Sequence, residues 1–96
     1  MYARSFSFKV SPNQRSEVEA IADRAFSLMK SQKGFVSVHF IVSGDEGAYG
    51  SFSLWELKTD AEAVGEPIRL ELGEALAKLA IEPPKLEIFE VYKPKG

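Results

Sequence analysis

His39 is the only histidine in this chain, and Arg4 is a guanidinium set among strand-forming aromatics; together they are the residues most able to do chemistry. An imidazole with an ordinary pKa near 6.5 can act as a general base. The plainer role for His39 is a strand histidine bonded to Ser37, Ser51 or Ser53 or to a second copy of the chain. Arg4 alternates with Phe6 and Phe8, so its charge must meet a carboxylate or an anionic ligand. An edge-strand ion pair with Glu56 or Glu90 is the expected partner. Trp55 could stack on a flat aromatic substrate, and Tyr49, Phe52, Phe26 and Tyr2 could line the same pocket; equally, all of them could simply fill hydrophobic layers.

Other chemistries find no support. With no cysteine there is no disulfide, thiolate ligand or cysteine nucleophile. One histidine cannot make a multi-histidine metal site. Asp45-Glu46, in a glycine-rich turn, lacks the ligand count for calcium and reads as a solvated turn. The glycines fit no phosphate-binding pattern, and Ser51 and Ser53 have no context that would make either a nucleophile. A net charge of -2, with both signs scattered along the chain, argues against nucleic acid as a partner. Neither a signal-peptide core nor a membrane-spanning run is visible, so a cytoplasmic location is the default expectation.

The positioning elements follow from periodicity. Tyr2, Arg4, Phe6, Phe8 and Val10 alternate with Ala3, Ser5, Ser7 and Lys9, which predicts a strand. Ser11-Pro12-Asn13-Gln14 has a capping-box pattern and predicts a helix running to about Lys33, with Val18, Ile21, Ala22, Ala25, Leu28 and Met29 as its apolar stripe and Gly34 as its stop. A hairpin follows. Val36, Val38, Phe40 and Val42 share one face of its first strand, and Phe35, Ser37, His39 and Ile41 share the other. On its second strand, Tyr49, Ser51, Ser53 and Trp55 alternate with Gly50, Phe52 and Leu54. Thr59-Asp60-Ala61-Glu62 repeats the capping pattern before a helix that Gly65 and Pro67 divide into a short and a long piece. Leu86, Ile88 and Glu90 belong to a last strand, and residues 93–96 form a tail.

The order βαββαβ predicts a single α+β domain over residues 1–96, a ferredoxin-like protomer whose four-stranded antiparallel sheet carries both helices on one face. Bulk on both faces of the hairpin leaves the second face needing cover. A homodimer through that open face, with Val38 on it, is the expected solution.

Gly34-Phe35-Val36-Ser37-Val38-His39-Phe40 after an amphipathic helix, and Ser51-Phe52-Ser53-Leu54-Trp55-Glu56 before a second helix, resemble the antibiotic biosynthesis monooxygenase family of dimeric α/β barrels. The resemblance implies a two-sheet dimeric barrel with a pocket between helices and sheet. Family members include cofactor-independent oxygenases of aromatic polyketides, a quinol monooxygenase, haem-degrading monooxygenases and proteins without known activity. Haem-degrading relatives use an asparagine on the first strand, a tryptophan on the third and an iron-ligating histidine on the second helix. Trp55 resembles that tryptophan, but the first strand offers Arg4, Ser5 and Ser7 and the second helix has no histidine, so haem is disfavoured and no cofactor is expected. The resemblance therefore implies a cofactor-independent monooxygenase of a quinol or aromatic polyphenol, with His39 as base, Arg4 holding an oxyanion, and Trp55, Tyr49, Phe52 and Phe26 binding the substrate. The alternative is a non-catalytic dimeric barrel that binds a hydrophobic small molecule or serves as an accessory or stress-associated protein.

Overall fold

A computed structural model describes residues 1–96. The elements are β1 (Tyr2–Lys9), α1 (Arg15–Met29), β2 (Phe35–Val42), β3 (Ala48–Trp55), α2 (Lys58–Ala63), α3 (Gly65–Leu79) and β4 (Lys85–Glu90). They form one antiparallel sheet in the order β2-β3-β1-β4, the ferredoxin-like arrangement that the alternation and helix stripes predict. β1 is thus a central strand, paired with both β3 and β4, and Arg4 is not on a sheet edge.

Register assigns the two faces. Tyr2, Arg4, Phe6 and Phe8 pair with Trp55, Ser53, Ser51 and Tyr49, so these residues share one face. That face packs against Val18, Ile21, Ala25 and Met29 of α1 and Ile68, Leu72 and Leu76 of α3 to form the core. A bulge between Phe35 and Ser37 inserts one residue into β2. It corrects the face assignment made from simple alternation: Phe35 meets Trp55 edge-on, 5.6 Å between ring centres, on the helix side. Val38, Phe40 and Val42, opposite Ser53, Ser51 and Tyr49, are on that side too. Val38 packs against the core and is not part of the open face. The open face instead carries Ile41, Phe52 and Phe89, all exposed, and the row His39–Phe52–Ser5–Glu87 crosses it.

Neither capping box forms. Asn13 adopts a left-handed φ of 66°, which delays the helix until Arg15; Gln14 is the N-cap and makes no side-chain cap bond. α2 starts at Lys58, one residue before Thr59, with Leu57 as its N-cap. α1 ends at Met29, before Lys33. The Ser31 hydroxyl donates to the Leu28 carbonyl at 2.8 Å in a tight turn that carries the chain to Gly34. The break at Gly65 is where the sequence places it, with Pro67 in the first turn of α3, where an N–H has no intrahelical partner.

Gly34 combines a φ of +82° with close contact: a Cβ there would lie within 3 Å of three side-chain atoms of Asp60. Asp60 is buried, and its Oδ2 has no hydrogen-bond partner. Gly34→Ala is expected to destabilise the fold by about 1–3 kcal/mol in urea unfolding, through backbone strain and the Asp60 contact. In Gly34→Ala/Asp60→Ala the steric part is relieved, so a cost equal to the sum of the two single changes would exclude the contact.

Candidate active site

A cavity of about 160 Å³ lies between the helix-side face of the sheet and helices α1 and α3. Its floor is a row contributed by the paired central strands. The Arg4 guanidinium carbon lies 5.8 Å from the centre of the Phe6 ring, Phe6 and Phe8 are 5.9 Å apart, and Phe8 stacks on Tyr49 at 6.3 Å. Ile21, Ala22, Ala25 and Met29 of α1 and Ile68, Leu72 and Leu76 of α3 form the roof, because the apolar stripes of both helices converge over this row. Phe40 and Val42, each 40% exposed, border the side that α1 leaves uncovered.

Three polar groups interrupt the apolar lining. Arg4 is 4% exposed, and none of the four ion pairs includes it. The pairing with Glu56 or Glu90 expected from the sequence is absent, because β1 is central and Arg4 points into the cavity. Burial pulls its guanidinium pKa below the ordinary value. A desolvated cation without a counter-charge costs stability unless something anionic joins it. The Tyr49 hydroxyl, also buried, has no hydrogen-bond partner; an unsatisfied donor of this kind costs about 1–3 kcal/mol. Ser51 lies between the two, opposite Phe6.

The rim is charged. Arg15 donates to Glu19 at 2.9 Å and to Glu46 of the β2–β3 turn at 2.8 Å, tying the start of α1 to the hairpin, and both carboxylates raise the Arg15 pKa. The turn is braced by Asp45, whose Oδ1 accepts from the Ser43 hydroxyl at 2.6 Å and the Gly47 amide at 2.9 Å; those bonds hold its carboxyl below the usual range.

Of the seven residues singled out in the sequence, the structure brings Arg4 and Tyr49 together in this cavity, while Tyr2 packs against the core outside it. Trp55 is fully buried beneath Phe35, its indole N–H donating to the Ser53 hydroxyl at 2.9 Å, and is core rather than cavity wall. Phe26 is on the outer side of α1, with the Lys30 ammonium 5.2 Å from its ring centre. Strand alternation sends Phe52 and His39 to the open face, so the imidazole does not share a site with Arg4 in the same protomer. Phe6, Phe8 and the helix roof were legible only as core; their alignment with Arg4 could be read from its alternation with the two phenylalanines.

An apolar slot with an aromatic floor and one buried cation can hold a flat aromatic anion. A cavity of similar size lined by apolar side chains is enough to bind benzene, so this one encloses one ring, and the uncovered side beside Phe40 and Val42 leaves room for a second fused to it. Arg4→Met should raise stability by about 1–2 kcal/mol, seen as a higher urea midpoint, while weakening binding of anionic aromatics. A lower midpoint would show that the charge is compensated in the folded state.

No family model and no curated protein sequence matches the chain. Solved structures do. A candidate antibiotic biosynthesis monooxygenase from Nitrosomonas europaea superposes with a TM-score of 0.85 at 18% identity, covering 99% of this chain and 93% of that one. SnoaB, a cofactor-independent oxygenase from Streptomyces nogalater, superposes at 0.81 with 19% identity, covering 97% and 94%. The ActVA-Orf6 monooxygenase of Streptomyces coelicolor, solved with nanaomycin D, superposes at 0.75 with 25% identity, covering 99% and 88%. The chain therefore has the fold of antibiotic biosynthesis monooxygenase-type proteins, as the resemblance in its sequence implies. No helix is long and apolar enough to cross a membrane.

Proposed function

We propose that this protein is a cofactor-independent monooxygenase of the antibiotic biosynthesis monooxygenase type, acting on a quinol or aromatic polyphenol bound between sheet and helices. The observation that carries this assignment is Arg4, a buried cation with no carboxylate partner at an aromatic-floored cavity. In that setting the guanidinium favours the phenolate form of a bound phenol, and the phenolic proton passes to water at the open side of the cavity rather than to a dedicated base. The phenolate delivers electron density to a ring carbon, which bonds to dioxygen. The O–O bond of the resulting hydroperoxide then breaks with loss of water. The peroxide takes up a proton, and a ring C–H thus becomes a carbonyl, one oxygen atom entering the product and the other leaving as water. SnoaB and the nanaomycin-bound ActVA-Orf6 support this chemistry through their shared fold.

Oxygen uptake with 1-naphthol and menadiol tests the assignment. Arg4→Gln should lower kcat/KM by about 100-fold, a loss of transition-state stabilisation of about 2.7 kcal/mol. His39→Ala, on the other face of the sheet, should stay within about twofold. If His39→Ala abolishes uptake and Arg4→Gln does not, the cavity is not the reaction site. One observation favours binding without turnover: the only carboxylate lining the cavity is Glu19, already paired with Arg15 at the rim. Tight binding with no oxygen uptake across the panel would select that alternative.

The proposal includes a homodimer through the open sheet face, where Ile41, Phe52 and Phe89 would otherwise stand exposed to water. Light scattering should show wild type as a dimer and Phe52→Asp as a monomer; a soluble dimer in the variant would exclude this face as the interface.

A further inference from the structure

Arg4 and the Tyr49 hydroxyl are at opposite ends of the cavity floor, with Ser51 between them, and that separation specifies a ligand more narrowly than the reaction class does. We propose that the cavity takes an elongated aromatic ligand of two fused rings, with an anionic group at one end held by Arg4 and a hydrogen-bond acceptor at the other held by the Tyr49 hydroxyl. This rests on reading the cavity as the ligand site. Arg4 and Phe8 are four positions apart on one face of β1, and Phe8 is directly opposite Tyr49. At about 3.3 Å per residue, the two anchors are rooted about 13 Å apart along the strand, and their side chains reach inward from there. Phe6 and Phe8 fill the interval with aromatic surface.

The charges orient the ligand. Arg4 supplies a cation at the inner end, with no carboxylate at ion-pairing distance. At the Tyr49 end stand Glu46, Glu19 and Arg15, a net negative trio that disfavours a second anion there. Burial and Glu46 push the phenol pKa up, so Tyr49 stays a donor at neutral pH. Its hydroxyl has no acceptor in the protein, so a ligand carbonyl there gains a bond without displacing one. A ligand apolar at that end leaves the donor unpaired.

Calorimetric titration of the purified protein with 6-acetyl-2-naphthoate, 6-ethyl-2-naphthoate and 2-acetyl-6-ethylnaphthalene tests this. The acetyl acid should bind about tenfold more tightly than the ethyl acid, and the difference should vanish in Tyr49→Phe. That variant removes only an unpaired hydroxyl and should fold at least as stably as wild type, checked by its urea midpoint. Arg4→Gln should weaken both acids by a similar factor and leave the neutral ketone unchanged. Failure of all three to bind, an acetyl preference that survives in Tyr49→Phe, or a neutral ketone that binds as tightly as the acid would overturn the proposal. Oxygen uptake by a quinol without this binding pattern would leave the oxygenase assignment standing and remove the two anchors. The pattern without uptake would do the reverse.

Discussion

Everything in this molecule depends on the register of β1, which is hydrogen-bonded to β3 on one side and to β4 on the other. Pairing on both sides locks the phase of its alternation, because slipping either ladder by one residue would turn Arg4, Phe6 and Phe8 out and Ser5 and Ser7 in. That phase places a cation and two phenylalanines beneath the helices and lines them up with Tyr49. Gly50 marks how tightly the two central strands are set: a Cβ there would collide with the Phe6 carbonyl oxygen. The helices add the roof but do not choose which residues form the floor.

The same constraint explains why the site is costly to keep. A well-packed fold would place methionine or leucine at position 4 and phenylalanine at position 49, satisfying burial without leaving a lone charge or an idle hydroxyl. Both groups are retained where the sheet and helices leave a gap. Arg4 and Tyr49 border one cavity, while the core around Trp55 and Val64 is closed; the other buried unpaired polar atom, Asp60 Oδ2, is packed against Gly34 with no space beside it for a ligand.

Much of this was legible from residue order. Period-two and period-four patterns carried the element sequence, the sheet and the sided placement of the helices, and the break at Gly65 was read correctly. What escaped the sequence depended on single residues that disturb a period. The bulge after Phe35 shifts the start of β2 by one position, which brings Phe35 onto the face of Val38, Phe40 and Val42; nothing in an unbroken run of strand formers announces it, and nothing in alternation says that this face is the one the helices cover. Asn13 enters the left-handed region and disables a good capping pattern. The candidate site was half legible: Arg4 and Tyr49 share a face by alternation, whereas grouping His39 and Phe52 with them required knowing which face the helices cover. Arg4's partner was misjudged because strand order, and hence β1's central position, is a property of tertiary pairing.

Strand alternation also partitions the chain for evolution. On β3, positions 49, 51 and 53 face the cavity side and positions 50, 52 and 54 face outward, so successive codons answer to different selection. Substitutions at one set can retune which molecule is held while the other set keeps its surface, and the reverse. With ligand and partner on the faces proposed for them, a lineage built on this sheet could change the one and the other independently, one residue at a time, within a single eight-residue strand.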